Sequence, residues 1–449
     1  MRYEVSPIDV SVLEDRLRTD MPRVAVMGLG YVGLPVALAL VQSGCQVVGF
    51  DVNATKVEIL QRGETYIRDV PPDAVQAALK SGRFVLTDDA RAIAAAEVVL
   101  ICVPTPFTPQ KEPDVSYIET ASRTLAAQLT PGRVVILRST SYPGTTNGVV
   151  RPILETTGLM AGRDFFLAFA PERIDPGNRS IAMHDVPVVV GGIEPTSTRL
   201  AAALLGRIAR HTVPVSSPEA AEMTKLLENV FRNVNIALVN QVAQLCDRMA
   251  LDVWEIVDAA ATKPYGFMSF RPGLVGGHCI PVDPYYMAWK AREYDFSTRF
   301  IELAGEINTN MPYHVVTKVM EALNDRGKSL KGSKIMVLGV AYKKNVDDMR
   351  ESPAIPIIRE LLAQGVILKG FDPAAHEEAM KLFRNNRFSL SQTLEDALLD
   401  ADAIVLVTRW EQFRAIPQIL KRVNPEALFV DGRRMLNKNE FIRYEGIGL

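Results

Sequence analysis

The sequence predicts an α/β protein: two doubly wound parallel-sheet domains joined by a central helical dimerisation region. Three observations lead there. Apolar runs of strand length alternate with helix-forming segments from Arg23 to Ser216, and again from Lys334 onward. From Ser217 the periodicity changes to that of long amphipathic helices. The first strand-like run is followed by G-x-G-x-x-G at Gly28, Gly30 and Gly33. A chain of 449 residues exceeds one ordinary domain. The expected division is a Rossmann-like first domain over residues 1–216, a helical domain over 217–324 and a second α/β domain over 325–449.

Composition narrows the class of function. The formal net charge is -2, with no run of like charge. That leaves no basic field for nucleic acid. The four cysteines, Cys45, Cys102, Cys246 and Cys279, have neither CxxC spacing nor a histidine at zinc-ligand spacing. Free thiols, no metal and a reducing compartment are expected. The first twenty residues are charged and lack the apolar core of a signal peptide. No apolar run has transmembrane length. A cytoplasmic protein with no membrane partner is expected.

The first unit reads strand by strand. Residues 8–18 have the pattern of a short amphipathic helix. Arg23–Met27 and Gln46–Phe50 are buried parallel strands, with a helix from Leu34 to Gln42 between them. In this context the glycines have separate tasks. Gly28 permits the tight turn, Gly30 lets the backbone approach a pyrophosphate, and Gly33 lets the helix pack closely. Asp51 ends the second strand, placed to accept hydrogen bonds from a ribose and to repel a 2′-phosphate. NAD is therefore expected rather than NADP. Lys56 is either a neighbour of that ribose or a solvated helix residue. Further strands in EVVLICVPTP, RVVILRSTSYPGTT and FFLAFAPERIDPGN place Thr105, Thr140 and Glu172 just past strand carboxyl ends. Open α/β sheets bind ligands there. VPVVVGG and HTVPVS read as closing strands.

The helical region begins with one long helix, PEAAEMTKLLENVFRNVNIALVNQVAQLCDRMA. Its expected apolar face includes Leu226, Val230, Val234, Leu238 and Leu245. Lys225, Asn229 and Arg232 fall on one stripe, which is either a solvated face or the wall of a cleft. Asn229 and Asn233 are poor helix formers in mid-helix, a hint of side-chain duties. A helix from about Val253 leads into PYGFMSFRPGLVGGHCIPVDPYY, and another runs from roughly Phe300 to Asn324. In the loop, Gly276 and Gly277 give backbone room just before Cys279, and Asp283 follows four residues later. Cys279 is either a nucleophile or a thiol packed as a small hydrophobe. Beyond a polar linker, KIMVLGVAYKKN, VILKGFDP, DAIVLVTRW and ALFVDGRR read as four more strands. No G-x-G-x-x-G accompanies them, so a second dinucleotide held the same way is not expected. Lys343, Lys344, Arg433 and Arg434 follow strands, as diphosphate contacts or as solvated charges.

GLGYVGLPVA, CVPTP, STSYPGTT, APERIDPGN, KLLENVFRNVNIALVNQ, GGHCIPVDPYY, YKKNVDDMRESPA and VDGRR occur in that order over nearly the whole chain. This series closely resembles the nucleotide-sugar 6-dehydrogenase family, which oxidises a sugar C6 alcohol to a carboxylate in two NAD-linked steps. The resemblance implies that Cys279 is the thiol nucleophile, Lys225 and Asp283 its proton-transfer partners, and Glu172 the carboxylate that assists hydrolysis. Thr140 would hold a catalytic water and touch the cofactor, beside Tyr31, Val32 and Thr105. Glu172, Lys225, Asn229, Arg232, Arg271, Gly276, Lys343 and Arg433 would contact a UDP-sugar, with Asn229 also serving the chemistry.

The loop with His278 before the thiol is most similar to bacterial UDP-N-acetylglucosamine 6-dehydrogenases. It departs from UDP-glucose enzymes, which usually carry another residue before the cysteine and a lysine where Val282 stands. UDP-N-acetylmannosamine and UDP-N-acetylgalactosamine enzymes also contain GGHC. The resemblance points to a role in bacterial surface polysaccharide synthesis.

The residues fit the chemistry in their own right. A second oxidation needs an aldehyde adduct able to release hydride. A thiolate supplies it as a thiohemiacetal, and hydride loss leaves a thioester that water can cleave. The other readings are a two-electron dehydrogenase, which has no need of Cys279, and a catalytically silent NAD-binding scaffold. The apolar surface expected on the helical region suits a homodimer or a higher homo-oligomer, with Arg271 serving a site shared between subunits.

Overall fold

A computed structural model describes residues 9–108, 110–174, 181–277, 279–383 and 388–449. The backbone forms two compact units: residues 1–228 with 285–296, and residues 229–284 with 297–449.

The first unit holds eight strands: β1 (Arg23–Met27), β2 (Gln46–Phe50), β3 (Phe84–Thr87), β4 (Val98–Ile101), β5 (Val134–Leu137), β6 (Phe166–Phe169), β7 (Val188–Gly192) and β8 (Thr212–Pro214). Their spatial order is β3-β2-β1-β4-β5-β6-β7-β8. The central strands VVLI, VVIL and FLAF are buried at every position, as continuous apolar runs in a parallel sheet covered on both faces should be. The sheet is parallel from β3 to β6, but β7 runs antiparallel to β6, pairing Ala168 with Gly192 and Phe169 with Gly191. Two apolar layers cover its faces, one around Val26, Leu34 and Leu100, the other around Met27, Ile101 and Phe169. The amphipathic N-terminal segment forms the helix Val10–Thr19, burying Leu13 and Leu17.

The second unit holds β9 (Lys334–Leu338), β10 (Ile367–Phe371), β11 (Phe388–Leu390), β12 (Ala403–Leu406), β13 (Leu428–Asp431) and β14 (Tyr444–Gly446). Their order is β11-β10-β9-β12-β13-β14, parallel throughout. The core of this sheet continues into helices, with Ala243, Val253 and Val319 in the same apolar cluster as Val337 and Ile404.

Helices lie where the periodicity placed them, at Pro218–Met249, Val253–Ala261 and Arg299–Asn324. The expected apolar face of the first needs correction. Leu226 and Val230 are buried, but Leu238 and Leu245 are more than half exposed. The buried stripe is instead partly polar, and Asn229, Asn233 and Asn240 are all buried. A helix over Asp283–Arg292 is an element the sequence reading did not contain. Its start is signalled by Asp283 followed by Pro284, an acceptor and a ring with φ already set for the first turn.

Candidate active site

In the first unit the glycine-rich turn has the geometry its spacing requires. Gly28 adopts φ +90°, and a Cβ there would lie 2.8 Å from the carbonyl oxygen of Cys102. A Cβ on Gly33 would sit 1.8 Å from the carbonyl oxygen of Gly28. One on Gly30 would meet nothing within 4 Å, so the space beside the turn is open. The helix Gly33–Gln42 starts with no side chain capping its N-terminal N–H groups, and Val32 stands at the cap. Those donors and the helix dipole favour a phosphate.

Asp51 is buried at the end of β2. Oδ2 accepts from the Leu29 N–H at 2.9 Å and Oδ1 from the Asn53 N–H at 3.0 Å. Lys56 Nζ stands 3.7 Å from Oδ2. Each carboxylate oxygen retains acceptor capacity for a ribose hydroxyl. Tyr66, which the sequence reading missed, donates to the Leu29 carbonyl at 2.5 Å. Burial, then the charge of Asp51, holds its hydroxyl above the ordinary tyrosine range. These residues fit a dinucleotide that carries free ribose hydroxyls.

The second unit shows what a closed version looks like. Asp372 ends β10 as Asp51 ends β2. Its Oδ2 accepts from the N–H groups of Val340 and Ala341 and from Trp410 Nε1, at 2.7, 3.0 and 3.2 Å. Its Oδ1 accepts from Ala374 and Ala375. Five donors saturate about four lone-pair sites, so nothing remains for a ribose.

The strand-end residues of the first unit are tied together. Thr105 Oγ1 donates to the Thr140 carbonyl at 2.6 Å, and Tyr286 donates to the Thr105 carbonyl. Glu172 meets Arg138 Nη2 at 2.6 Å through Oε2, and Oε1 accepts from the N–H groups of Arg173 and Ile174. Arg138 was not anticipated. A charged residue closing an apolar strand was the available signal. Lys225 is buried. Among the described residues it makes no ion pair.

In the second unit the long helix holds the cysteine loop through its asparagines. Asn229 Nδ2 donates to Asp283 Oδ2 at 2.5 Å, and Arg232 donates to Asn229 Oδ1. Asn233 Nδ2 donates to the Ile280 carbonyl at 3.0 Å, and Asn240 exchanges hydrogen bonds with Gly273. The stripe is therefore no solvated face. Cys45, Cys102 and Cys246 are buried, whereas Cys279 is exposed. Burial pushes the Cys102 thiol up to about 12, leaving it inert. The small-hydrophobe reading fits those three and not Cys279. The Cys279 carbonyl accepts from the N–H groups of Val282 and Asp283, which sets the residue in the turn leading into the helix Asp283–Arg292. The axial dipole favours an anion there. His278 lies outside the described residues.

The glycine pair brings the chain against Tyr342. A Cβ on Gly277 would lie 2.8 Å from its ring, and one on Gly276 would lie 2.9 Å from the Glu351 carbonyl oxygen. Lys343 follows Tyr342 in that segment. Arg433 donates to the Leu274 carbonyl, and burial, with Arg409 beside it, lowers its guanidinium to about 10. Arg271 pairs with Asp258 and lies 5.6 Å from the Trp254 ring. Arg434 is paired with Asp252 at 2.7 Å, a structural use. Lys344 is exposed.

The fold and these groups define an NAD-dependent nucleotide-sugar dehydrogenase. Residues 22–209 match the UDP-glucose/GDP-mannose dehydrogenase family, NAD binding domain; residues 219–310 match its central domain, and residues 336–438 its UDP binding domain. The chain belongs to this family. It is 34% identical to the UDP-N-acetyl-D-mannosamine dehydrogenase of Pyrococcus horikoshii, over 95% of this chain and 99% of that one. It is 36% identical to the UDP-N-acetyl-D-glucosamine 6-dehydrogenase of Pseudomonas aeruginosa, over 80% of this chain and 84% of that one. A solved structure of UDP-D-ManNAc dehydrogenase from Pyrococcus horikoshii superposes with a TM-score of 0.85 at 33% identity, covering 95% and 99% of the two chains. Relatives of nearly equal identity carry different sugars in their names, so identity alone does not assign the epimer. No helix among the described residues is long and apolar enough to cross a membrane.

Proposed function

We propose that the protein oxidises the C6 alcohol of a UDP-N-acetylhexosamine, UDP-N-acetylglucosamine foremost, to the uronate. The observation that carries this reading is the exposed Cys279, in the turn that leads into a helix and one turn before the buried Asp283–Asn229 pair. NAD, when bound, accepts the hydride of each oxidation. Gly28, Gly30, Gly33 and Asp51 hold it, with Tyr31, Val32, Lys56, Thr105 and Thr140 as neighbours.

Lys225, buried without an ion pair among the described residues, stabilises the alkoxide in each oxidation and takes part in proton transfer with Asp283. The Cys279 thiolate then adds to the aldehyde carbon and forms a thiohemiacetal. Loss of hydride from that carbon leaves a thioester. Water adds to the thioester carbon, the C–S bond breaks, and the thiolate and the uronate are released. Glu172 assists this hydrolysis and Thr140 holds the water. Arg232, Asn229, Gly276, Lys343, Arg433 and Arg271 contact the UDP-sugar.

The choice of glucosamine is supported by the loop around His278 and Val282. Of the aromatics in the preceding stretch, Tyr265 and Phe267 are exposed and Phe270 packs on Phe231. The exposed apolar residues Phe231, Leu238, Leu245 and Met249 on the long helix support a working unit of at least two chains. The reaction belongs in the cytoplasm, ahead of polysaccharide assembly.

The test is NADH release from UDP-N-acetylglucosamine, UDP-N-acetylmannosamine, UDP-N-acetylgalactosamine and UDP-glucose in turn. The expected result is the highest kcat/KM for the first, with two NADH per sugar. A clear preference for UDP-glucose overturns the assignment, and no release from any sugar favours a scaffold.

A further inference from the structure

The segment after β5 is tied down at both ends. At its start, Ser139 Oγ donates to the Val103 carbonyl at 2.8 Å, and the Thr140 carbonyl accepts from Thr105 Oγ1. At its end the long helix holds it, chiefly through one side chain. Glu222 Oε2 accepts from the Gly144 N–H at 2.6 Å. Its Oε1 accepts from the Thr146 N–H at 2.9 Å and from Thr146 Oγ1 at 2.7 Å. Glu222 is fully buried. Thr146 also opens a π-helical turn, Thr146–Val150, a rare geometry that occurs mostly at functional sites. A neutral side chain would hold a loop at less desolvation cost. What a carboxylate adds is the capacity to take three donors at once.

We propose that Glu222 is a positioning residue, which fixes the loop carrying Thr140 to the helical turn carrying Lys225. Glu222 and Lys225 are three residues apart on one helix, so they share a face. Holding Gly144 and Thr146 at that turn sets the spacing between the water-holding threonine and the buried lysine. The proposal rests on the reading of Thr140 and Lys225 as active-site groups.

The charged and titratable surroundings come from three elements. Glu219, on the same helix, accepts from Asn147 Nδ2 at 2.6 Å. Tyr142 lies in the loop itself. Lys290 and Glu293 belong to the region of the helix Asp283–Arg292 and its end, with Lys290 5.3 Å from the Tyr142 ring. Burial raises the Glu222 carboxyl to about 7, against the pull of the Thr146 and Gly144 donors. In the ionised form both oxygens are acceptors only, whereas protonation puts a donor on one of them that neither the Gly144 nor the Thr146 N–H can accept. The latch is complete on the alkaline side.

Glu222→Gln keeps the shape and exchanges one acceptor for a donor. Thr146→Val removes one donor without touching charge and serves if the first variant folds poorly. Three measurements are needed on each: hydrogen exchange over residues 139–150, NAD binding by calorimetry, and kcat against pH with UDP-N-acetylglucosamine. The expected result for Glu222→Gln is NAD affinity within about threefold, exchange faster by about tenfold and kcat lower by about ten- to a hundredfold. The wild-type acid limb should be absent from the kcat profile of Glu222→Gln. Thr146→Val should show the faster exchange with the limb retained. Wild-type exchange and an unchanged pH profile in both variants overturn the proposal. If the wild type oxidises none of the UDP-sugars, the functional reading fails separately. The exchange arm then decides alone, faster exchange supporting the latch and unchanged exchange refuting it.

Discussion

The Asn229 amide donates to Asp283 Oδ2 at 2.5 Å, and both side chains are buried. Arg232 donates to the other end of the same amide. One asparagine thus connects a cation to the carboxylate that follows the exposed thiol by one turn. Asn229→Ala takes a donor from a buried carboxylate, at an expected cost of about 1–3 kcal/mol. Urea unfolding should show that loss, and kcat/KM should fall by about a hundredfold as the loop shifts. Wild-type stability together with wild-type turnover would remove Asn229 from the account.

Two glycines in one turn should respond differently to the same methyl group. At Gly33 the new Cβ would lie 1.8 Å from a backbone oxygen, so Gly33→Ala must move the helix or fail to fold. At Gly30 the Cβ meets nothing within 4 Å. Gly30→Ala should keep the wild-type Tm and weaken NAD binding by about tenfold or more, because the methyl fills the approach to the pyrophosphate. Equal effects of the two substitutions on Tm would contradict this division of roles.

Asp51 should decide the cofactor. Asp51→Ala should weaken NAD and reduce the preference over NADP, measured as the ratio of kcat/KM values. Asp372→Ala should leave that ratio untouched, although the residue ends an equivalent strand, because its five donors are all internal. The cost there should be stability. Comparable wild-type turnover with both cofactors would count against the role of Asp51.

Local signals carried most of the fold. Runs such as VVLI and FLAF announce buried strands without help from their surroundings. The short β11 and β14, each of three residues, have too little pattern to be told from loops. The helix from Asp283 had a readable start, yet the glycines, prolines and aromatics before it read as one long loop. For the site, residue types at known spacing were legible: Gly28 and Asp51 stood out by their places after strands, and Cys279 as a candidate beside its glycine pair. Partners remote in sequence were not. Glu222 meets Thr146 across 76 positions, and Arg138 meets Glu172 across 34. Nothing in a local pattern encodes such pairs. The exposure of Leu238 and Leu245 was misread for a related reason, since periodicity gives the stripes of a helix but not which of them is covered.

Glu222 also predicts a pH effect on stability, with a definite sign. Its carboxyl is raised from 4.5 to about 7, mainly by burial. A raised acid contributes stability that is fully present below 4.5 and lost as the pH rises through about 7. Glu222→Gln lacks this loss. Urea midpoints across that range should show the variant gaining on the wild type as the pH rises. Relative to the wild type, its stability should be highest at about pH 8, while it turns over more slowly. Parallel stability curves would mean that Glu222 does not titrate in this range.

The central claim is that Cys279 carries the second oxidation. The most direct measurement is the number of NADH released per sugar by Cys279→Ser, with intact-protein mass taken on the same quenched samples. A serine hydroxyl is far less acidic than a thiol, and an ester hydrolyses more slowly than a thioester. Uronate formation should fall by orders of magnitude, with the reaction stalled at the aldehyde or as a covalent ester and at most one catalytic oxidation surviving. Two NADH per sugar at a near-normal rate from Cys279→Ser would show that another group is the nucleophile.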